Sequence, residues 1–233
     1  PALESGNSFT GALGRAAGNN VGTYAYTLGT LSAGLNYTLT LDGSNTFAIT
    51  AKPMIVMAEA KSKTYGEADP ALTYQVTSGT LTSGDSFSGA LTRVAGENVG
   101  TYAIQQGTLA LSGNYTLTYI GGNLTISTKA ITVTAEAKSK VYGAAVPTLT
   151  ATGTGLVGPD TLASLSLGYT LSTTATAASP AGSFPIGFSD GLTSTANYSP
   201  ITYVAGSLSV TQAPLTVTAD AKSKTYGDPD PAL

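Results

Sequence analysis

Short stretches of alternating apolar and polar residues recur along the chain. Residues 131–134 (Ile-Thr-Val-Thr) place apolar side chains on one face and threonine on the other, and residues 115–119 and 124–126 do the same. A strand with one buried face has this period of two, and threonine suits the exposed face. The best helix candidate, residues 83–91, contains two glycines and is poor. The pattern therefore predicts an all-β protein.

Glycine-rich segments separate the predicted strands. Gly121-Gly122-Asn123 lies between two alternating runs and predicts a hairpin turn. The segment 100–104 (Gly-Thr-Tyr-Ala-Ile) is typical of the tyrosine corner of immunoglobulin-like sandwiches. We therefore expect small two-layer, immunoglobulin-like β-sandwich domains of six or seven strands. A β-grasp-like unit with one short helix is the alternative.

The chain repeats itself. Lys-Ser-Lys-Thr-Tyr-Gly stands at 61–66 and 222–227, and Lys-Ser-Lys-Val-Tyr-Gly stands at 138–143. A period of about 80 residues suits a small domain with its own core. The predicted units are 1–52 (lacking its first part), 53–129 (complete), 130–213 (complete but divergent) and 214–233 (the first strand and turn of a further repeat). The short joins predict units held end to end as a rod.

Composition narrows the possible functions. The 233 residues are 42% hydrophobic and only 10% charged, with a formal net charge of −3 and no Cys, His or Trp. This balance gives no reason to expect nucleic acid or a membrane as a partner. Without His or Cys, the usual triads, zinc sites and thiol nucleophiles are missing. The sequence predicts a protein that is not an enzyme and has no cofactor.

Several motifs together resemble one known family. They are Lys-Ser-Lys-x-Tyr-Gly, the following Asp-Pro-x-Leu at 69–72, Gly-Thr-Tyr-x-Ile at 100–104, Asn-Tyr-x-Leu-Thr-Tyr at 114–119 and Gly-x-Leu-Thr-Ile at 122–126. This set is similar to the MBG domains of the YG-x type. The resemblance implies tandem repeats of large bacterial surface adhesins or secreted filamentous exoproteins, outside the cell, in cell adhesion or biofilm. It supplies no catalytic residues.

Two functions from different classes follow. The first is a structural stalk or spacer that projects a binding region away from the cell. The alternative is a carbohydrate- or matrix-binding module, for example for surface polysaccharide, that acts by avidity across many weak sites. A continuous exposed face of repeated Tyr and Lys side chains would favour the alternative, and their burial would favour the spacer.

The three hexapeptides are the leading candidate site, which we interpret as a structural seam between repeats. In this interpretation the tyrosine packs at a domain end, the glycine takes a positive φ, and the lysines protect an edge. The alternative is that Lys61, Lys63 and Tyr65 bind an acidic sugar or a phosphate. The residues concerned are Lys61, Lys63, Tyr65, Gly66, Lys138, Lys140, Tyr142, Gly143, Lys222, Lys224, Tyr226 and Gly227.

Three weaker site hypotheses involve other residues. Calcium would use the carboxylates of Glu67, Asp69, Asp228 and Asp230, but the equivalent turn at 144–147 has no acid, so no metal is expected. An isopeptide bond would join Lys63 or Lys140 to Asn114 or Asn197. Sugar rings would stack on an exposed row of tyrosines, although most of these should point into cores. The tyrosines are Tyr24, Tyr26, Tyr37, Tyr102, Tyr115, Tyr119, Tyr198 and Tyr203.

The two ends of the sequence stand at the same phase of the repeat. Residues 214–233 open a unit, and residues 1–52 lack that opening. The expected partners are therefore neighbouring repeats of the same chain, together with head-to-tail self-association through residues 214–233 and 1–52.

Overall fold

The computed structural model describes residues 2–189 and 195–232. The strands of the first repeat are β1 (Gly14–Arg15), β2 (Gly22–Thr27) and β3 (Thr46–Ile49). Those of the second are β4 (Lys52–Ala58), β5 (Lys61–Thr64), β6 (Tyr74–Ser78), β7 (Thr92–Arg93), β8 (Gly100–Gln105), β9 (Tyr115–Ile120) and β10 (Gly122–Ser127). Those of the third are β11 (Lys129–Ala135), β12 (Lys138–Val141), β13 (Ala151–Thr154), β14 (Thr170–Thr173), β15 (Gly182–Ser189), β16 (Tyr198–Val204) and β17 (Gly206–Thr211).

Helical structure in the described residues is confined to one short element. Helix α1 (Leu162–Leu165) lies in the third repeat and begins with a capping box between Thr161 and Ser164. No helix in 2–189 or 195–232 combines the length and apolar character that a bilayer crossing requires. Because strands dominate every repeat, the prediction of an all-β protein built from tandem domains is confirmed.

Each complete repeat contains two small sheets. In the second repeat the strand orders are β6-β4-β9 and β5-β10-β8-β7, and in the third they are β13-β11-β16 and β12-β17-β15-β14. The pairs β4/β9, β11/β16 and β12/β17 are parallel, whereas the other registered pairs are antiparallel. The sheets are therefore mixed, unlike the antiparallel sheets of an immunoglobulin domain. In both repeats the first two strands pair with the last two.

The period-two pattern predicts which side chains are buried. In β4, Met54 and Val56 are buried, and in β10 Leu124 and Ile126 alternate with exposed threonine and serine. The third repeat has two apolar clusters, one around Ile131 and Val133 of β11 and one around Ile186 and Leu208. Each fully buried side chain of this size contributes about 1.5–3 kcal/mol, and these positions hold the repeats together.

The predicted hairpin at Gly121-Gly122-Asn123 is wrong. Strand β9 ends at Ile120 and β10 begins at Gly122, and the two strands belong to different sheets, so the chain crosses from one sheet to the other at Gly121. The glycine is needed for close approach: a Cβ on Gly122 would lie 2.7 Å from the Ala58 carbonyl oxygen. Gly206 faces Ala135 in the same way in the third repeat, at 2.5 Å.

The described chain divides into two compact units. The first contains Pro1–Lys63 and Glu67–Ser127, and the second contains Thr64–Gly66 and Thr128–Leu233. The first unit thus holds the first two repeats. The first repeat has only the sheet β1-β2-β3, and residues 212–232 have no strand.

Replacing Gly122 with alanine should destabilise the first unit by about 1–3 kcal/mol, because the new Cβ meets a backbone oxygen that cannot move aside. Hydrogen exchange of peptides from β8 and β10 would measure this, with peptides from β15 and β17 as an internal reference. Gly113→Ala is the matched control, since no atom lies within 4 Å of its Cβ position. Equal protection in the two variants would contradict the proposed role of Gly122.

Candidate functional site: the hexapeptide and its polar contacts

Lys63, the second lysine of the hexapeptide at 61–66, is buried and organises an ion network within the first unit. Only 3% of the Lys63 side chain is exposed, and its Nζ lies 2.7 Å from Asp69 Oδ1 and 2.5 Å from Glu97 Oε2. Arg93 of β7 binds both carboxylates from the other side. It also donates to the carbonyls of Val94 and Gly96. A buried ammonium needs such partners, and this network satisfies Lys63.

The ion network shifts the pKa values of its acidic and basic side chains. Hydrogen bonds from Arg93 and then Lys63 lower the pKa of Asp69 to about 2. Hydrogen bonds from Lys63 and Arg93 also lower the pKa of Glu97, and those to Asp69 and Glu97 raise the pKa of Lys63. All members are therefore held in their charged forms at neutral pH.

The second half of the same hexapeptide belongs to the second unit. Tyr65 packs edge-on against Tyr198, with ring centroids 5.4 Å apart, and donates a hydrogen bond to Asp160 Oδ2 at 3.2 Å. Gly66 has a φ of +84°, and a Cβ there would lie 2.4 Å from Val157 Cγ2. A side chain at 66 is therefore excluded by both conformation and space. Residues 61–66 thus contribute to both compact units.

The other two hexapeptides have different surroundings. Lys140 is buried, but its Nζ donates to the carbonyls of Ala144 and Ala177, and no carboxylate of the described residues pairs with it. Tyr142 is 50% exposed and Tyr226 is fully exposed, whereas Gly143 and Gly227 keep positive φ angles of +86° and +92°. Lys224 is half-exposed and pairs with Asp230 at 2.7 Å. The turn conformation is common to all three copies, but the tyrosine contact is not.

In the first two hexapeptides, the first lysine pairs with an acid two residues before it. Lys61 pairs with Glu59, and Lys138 pairs with Glu136, both at 3.0 Å. Thr73 and Gln75 also donate to Glu59, and hydrogen bonds from Thr73, Gln75 and Lys61 lower the pKa of Glu59 to about 2. Lys222 is exposed. These lysines stabilise local strand ends and do not converge on a common point.

Tyr115 and Tyr198, the tyrosines of the second and third Asn-Tyr motifs, each close a loop, a role that the sequence analysis missed. The Tyr115 hydroxyl accepts from Thr82 N at 2.9 Å and donates to Asp85 at 2.5 Å. Tyr198 does the same with Val157 N and Asp160, at 2.9 and 2.6 Å. In both loops the acid follows the amide donor by three residues, and this repeated spacing was the available signal. Burial and Asp160 raise the pKa of Tyr198 to about 12.

Tyr24 and Tyr102 have the geometry of a tyrosine corner. Their hydroxyls donate to the carbonyls of Asn20 and Asn98, four residues upstream, at 2.6 and 2.8 Å. A Cβ on Gly96 would lie 2.1 Å from the Tyr102 ring, so the ring covers a glycine.

Four other tyrosines belong to the proposed sugar-binding row: three make hydrogen bonds or ring contacts, and one is half-exposed. Tyr37 accepts from Glu4 N, Tyr119 donates to Ile104 O, Tyr203 packs on Phe188 and Tyr169, and Tyr26 is half-exposed.

Asn114 connects the first two repeats within the first unit. Its Oδ1 accepts from Val21 N at 2.8 Å, its Nδ2 lies 3.0 Å from Asn20 Oδ1, and its carbonyl accepts from Lys52 N at 2.9 Å. Asn197 occupies the corresponding place in the third repeat, where its carbonyl accepts from Lys129 N at 3.0 Å. The side chain of Asn197 also hydrogen-bonds with Tyr65.

The geometry bears on the calcium and isopeptide hypotheses. A calcium ion at Asp69 would have to displace Lys63 and Arg93, and no group of three or more acidic residues that could hold a metal occurs within 2–189 and 195–232. Glu67 and Asp228 are exposed, and Asp230 pairs with Lys224.

An isopeptide bond needs a neutral amine, whereas the pKa of Lys63 is raised. The Lys63 Nζ contacts Asp69 and Glu97, while the Asn114 side chain contacts Asn20 instead of Lys63.

These features define a class of protein built from tandem all-β repeats, in which the recurring Lys and Tyr side chains form ion pairs and hydrogen bonds within the repeats. The family model described as MBG domain (YGX type) matches three times, at residues 2–48, 54–125 and 131–209. The chain belongs to this family. MBG repeat domains occur in extracellular surface proteins and are not known as enzymes. Neither the curated proteins nor the solved structures contain a match to the chain.

Replacing Asp69 with asparagine should destabilise the first unit at pH 7 by about 1 kcal/mol, because the buried Lys63 loses a charged partner. It should also reduce acid sensitivity. The folded-state pKa of Asp69 lies below its ordinary value of about 4, so its stabilisation is complete above pH 4 and is lost as pH falls towards 2. Urea denaturation from pH 7 to pH 2 measures both effects.

Asp42→Asn is the control for this variant, since Asp42 is exposed and uses one oxygen to accept from Ser44 N, which asparagine can also do. If Asp69→Asn and the native chain lost stability in parallel below pH 5, the network would not be the source of acid sensitivity.

Replacing Asn114 with alanine should expose the Val21 amide and increase its hydrogen exchange. The lost hydrogen bonds correspond to about 1–2 kcal/mol of local stability. Asn45→Ala is the matched control, because the Asn45 side chain makes only a 3.5 Å contact with Ser44. Unchanged protection at Val21 in the Asn114 variant would show that the two repeats are joined by other contacts.

Proposed function

We propose that these repeats form the stalk of a bacterial extracellular adhesin or surface fibre and hold a binding region away from the cell. The observation that carries this proposal is the engagement of the repeated polar side chains within the units. Lys63 and Lys140 are buried, Tyr115 and Tyr198 close loops, and Tyr102 covers a glycine. A binding module that acted through these residues would need to expose them.

A spacer needs domains that keep their form without a ligand, and the contacts above supply this. Each complete repeat pairs its first strands with its last, so the repeat is closed by backbone hydrogen bonds between segments distant in sequence. The buried lysines are satisfied by carboxylates or by carbonyls of the same repeat. Tyr142 and Tyr226 are exposed, but Tyr65 packs on Tyr198, so the described hexapeptides offer no exposed tyrosine common to all three copies. This gives less support to carbohydrate binding by avidity.

Family membership supports the location. MBG domains occur in extracellular surface proteins, and the matched segments follow one another along most of the chain. A series of similar domains with short joins increases length in regular steps, which is the property that a stalk requires. The low fraction of charged residues leaves few groups through which salt could alter the array.

Small-angle X-ray scattering tests the proposal. A compact chain of this length should have a radius of gyration of about 17 Å, whereas repeats arranged end to end should exceed about 30 Å. We expect the larger value, unchanged by a calcium chelator, at concentrations where the chain is monomeric. A value near that of the compact chain would contradict the stalk. A value that falls on addition of chelator would instead indicate calcium at the joins.

A further inference from the structure

The third repeat lacks an aromatic contact that the second repeat has. Thr73 and Thr150 both donate to the acid that precedes the hexapeptide of their repeat. The residues that follow them, Tyr74 and Ala151, therefore occupy corresponding places, each opposite the last alanine of β4 or β11. Tyr74 packs edge-on against Phe87, with ring centroids 5.2 Å apart. Ala151 has no ring, so the third repeat has less apolar volume at this place.

Helix α1 covers only part of the strand that carries Ala151. Gly153 of β13 corresponds to Val76 of β6, since each lies opposite the valine of the neighbouring strand. A Cβ on Gly153 would lie 2.7 Å from Leu162 Cδ2, so the helix packs against the strand at this glycine. Beside Ala151 the surface instead forms a groove.

The groove beside Ala151 is apolar and has the size of a ligand site. Its volume is about 740 Å³, within the range of about 300–1,000 Å³ that is typical of such sites. Three serine and threonine side chains lie along it, and no charged residue is among the described residues that line it. The large apolar residues of the lining are Leu149, Leu162, Leu167, Tyr169 and Leu171. An uncharged, apolar group therefore fits this groove.

Both sides of the groove are held by the apolar clusters of the third repeat. Leu162 and Tyr169 pack against the cluster that contains Ile131. Leu171 packs against the cluster that contains Leu208. Because each side is anchored in a core, the groove keeps its form without a ligand, as small-molecule and peptide sites commonly do.

The strand beside the groove has an open edge. Strand β13 pairs with β11 and has no second strand partner among the described residues. Residues that lie opposite one another in neighbouring strands direct their side chains to the same face. A residue added opposite Ala151 would therefore direct its side chain into the groove. An aromatic side chain at that place would supply the ring that this repeat lacks.

We propose that the third repeat binds an extended, uncharged segment of a partner polypeptide along the free edge of β13, with an aromatic side chain seated over Ala151. Backbone hydrogen bonds to the strand edge give affinity, and the groove selects the side chain. The segment is uncharged because the lining offers no opposite charge to a buried ion. This inference concerns recognition by one repeat, goes beyond the proposed stalk and does not depend on it.

Titration of the isotope-labelled chain with acetyl-Thr-Thr-Tyr-Thr-Thr-amide, followed by NMR, is the first test. We expect saturable shifts of the Ala151 and Leu171 amide signals, with a Kd of about 1 mM or tighter. The same peptide with alanine in place of tyrosine should bind about tenfold more weakly or worse, because it leaves the groove unfilled. Absence of saturation at these amides, or equal binding of the two peptides, would overturn the proposal.

A single blocked amino acid tests the role of the strand edge. N-acetyl-tyrosine amide has the same ring, but its backbone is too short to pair along β13. We expect it to bind about tenfold more weakly than the pentapeptide with tyrosine, because it forms fewer backbone hydrogen bonds. Equal affinity of the two probes would show that the groove takes the ring alone, and strand addition would then be wrong.

Two variants of β13 test the location. Ala151→Tyr introduces the residue of the second repeat and should abolish binding of the pentapeptide, because its own ring fills the groove. Thr152→Tyr is the matched control, since Thr152 is the next residue of β13, is exposed and points to the opposite face. Hydrogen exchange of peptides from β11 and β17 checks that both variants are folded, and the probe comparisons use the native chain. Unchanged affinity in folded Ala151→Tyr, or equal loss in both variants, would contradict the proposal.

Discussion

Pairing of the first strands of a repeat with its last strands is the constraint on which the rest of the structure depends. β4 pairs with β9 and β5 with β10, and the third repeat does the same with β11/β16 and β12/β17. Each of these pairs joins segments many tens of residues apart. The chain entropy lost in closing so long a loop is offset only when both strands are present to form their hydrogen bonds. The strands at the two ends of a repeat therefore depend on each other for their stability.

The polar contacts follow from this closure. Once β5 or β12 is fixed beside the last strand, its second lysine is enclosed, and the surrounding chain must satisfy the ammonium group. The second repeat uses the carboxylates of Asp69 and Glu97, and the third uses the carbonyls of Ala144 and Ala177. Two chemically different solutions at one place indicate that the requirement is hydrogen bonding of the buried cation and not a particular acid.

The sequence predicts local structure better than pairing. Alternation at residues 115–119 and 131–134 identifies β9 and β11, and Tyr102 has the hydrogen bond expected of a tyrosine corner. The Gly121-Gly122 segment misleads because a hairpin turn and a crossing between sheets both use glycine, and only the proximity of Ala58 distinguishes them. Long-range pairing and the partners of Lys63 depend on tertiary contacts that one sequence does not encode locally.

Divergence between repeats also changes how each responds to its environment. In the second repeat the buried lysine depends on ionised carboxylates, so acid weakens that contact as Asp69 and Glu97 become protonated. In the third repeat the carbonyl acceptors of Lys140 do not titrate, and the same position remains satisfied at low pH. The buried lysine of the second repeat therefore has acid-sensitive contacts, whereas the buried lysine of the third repeat does not.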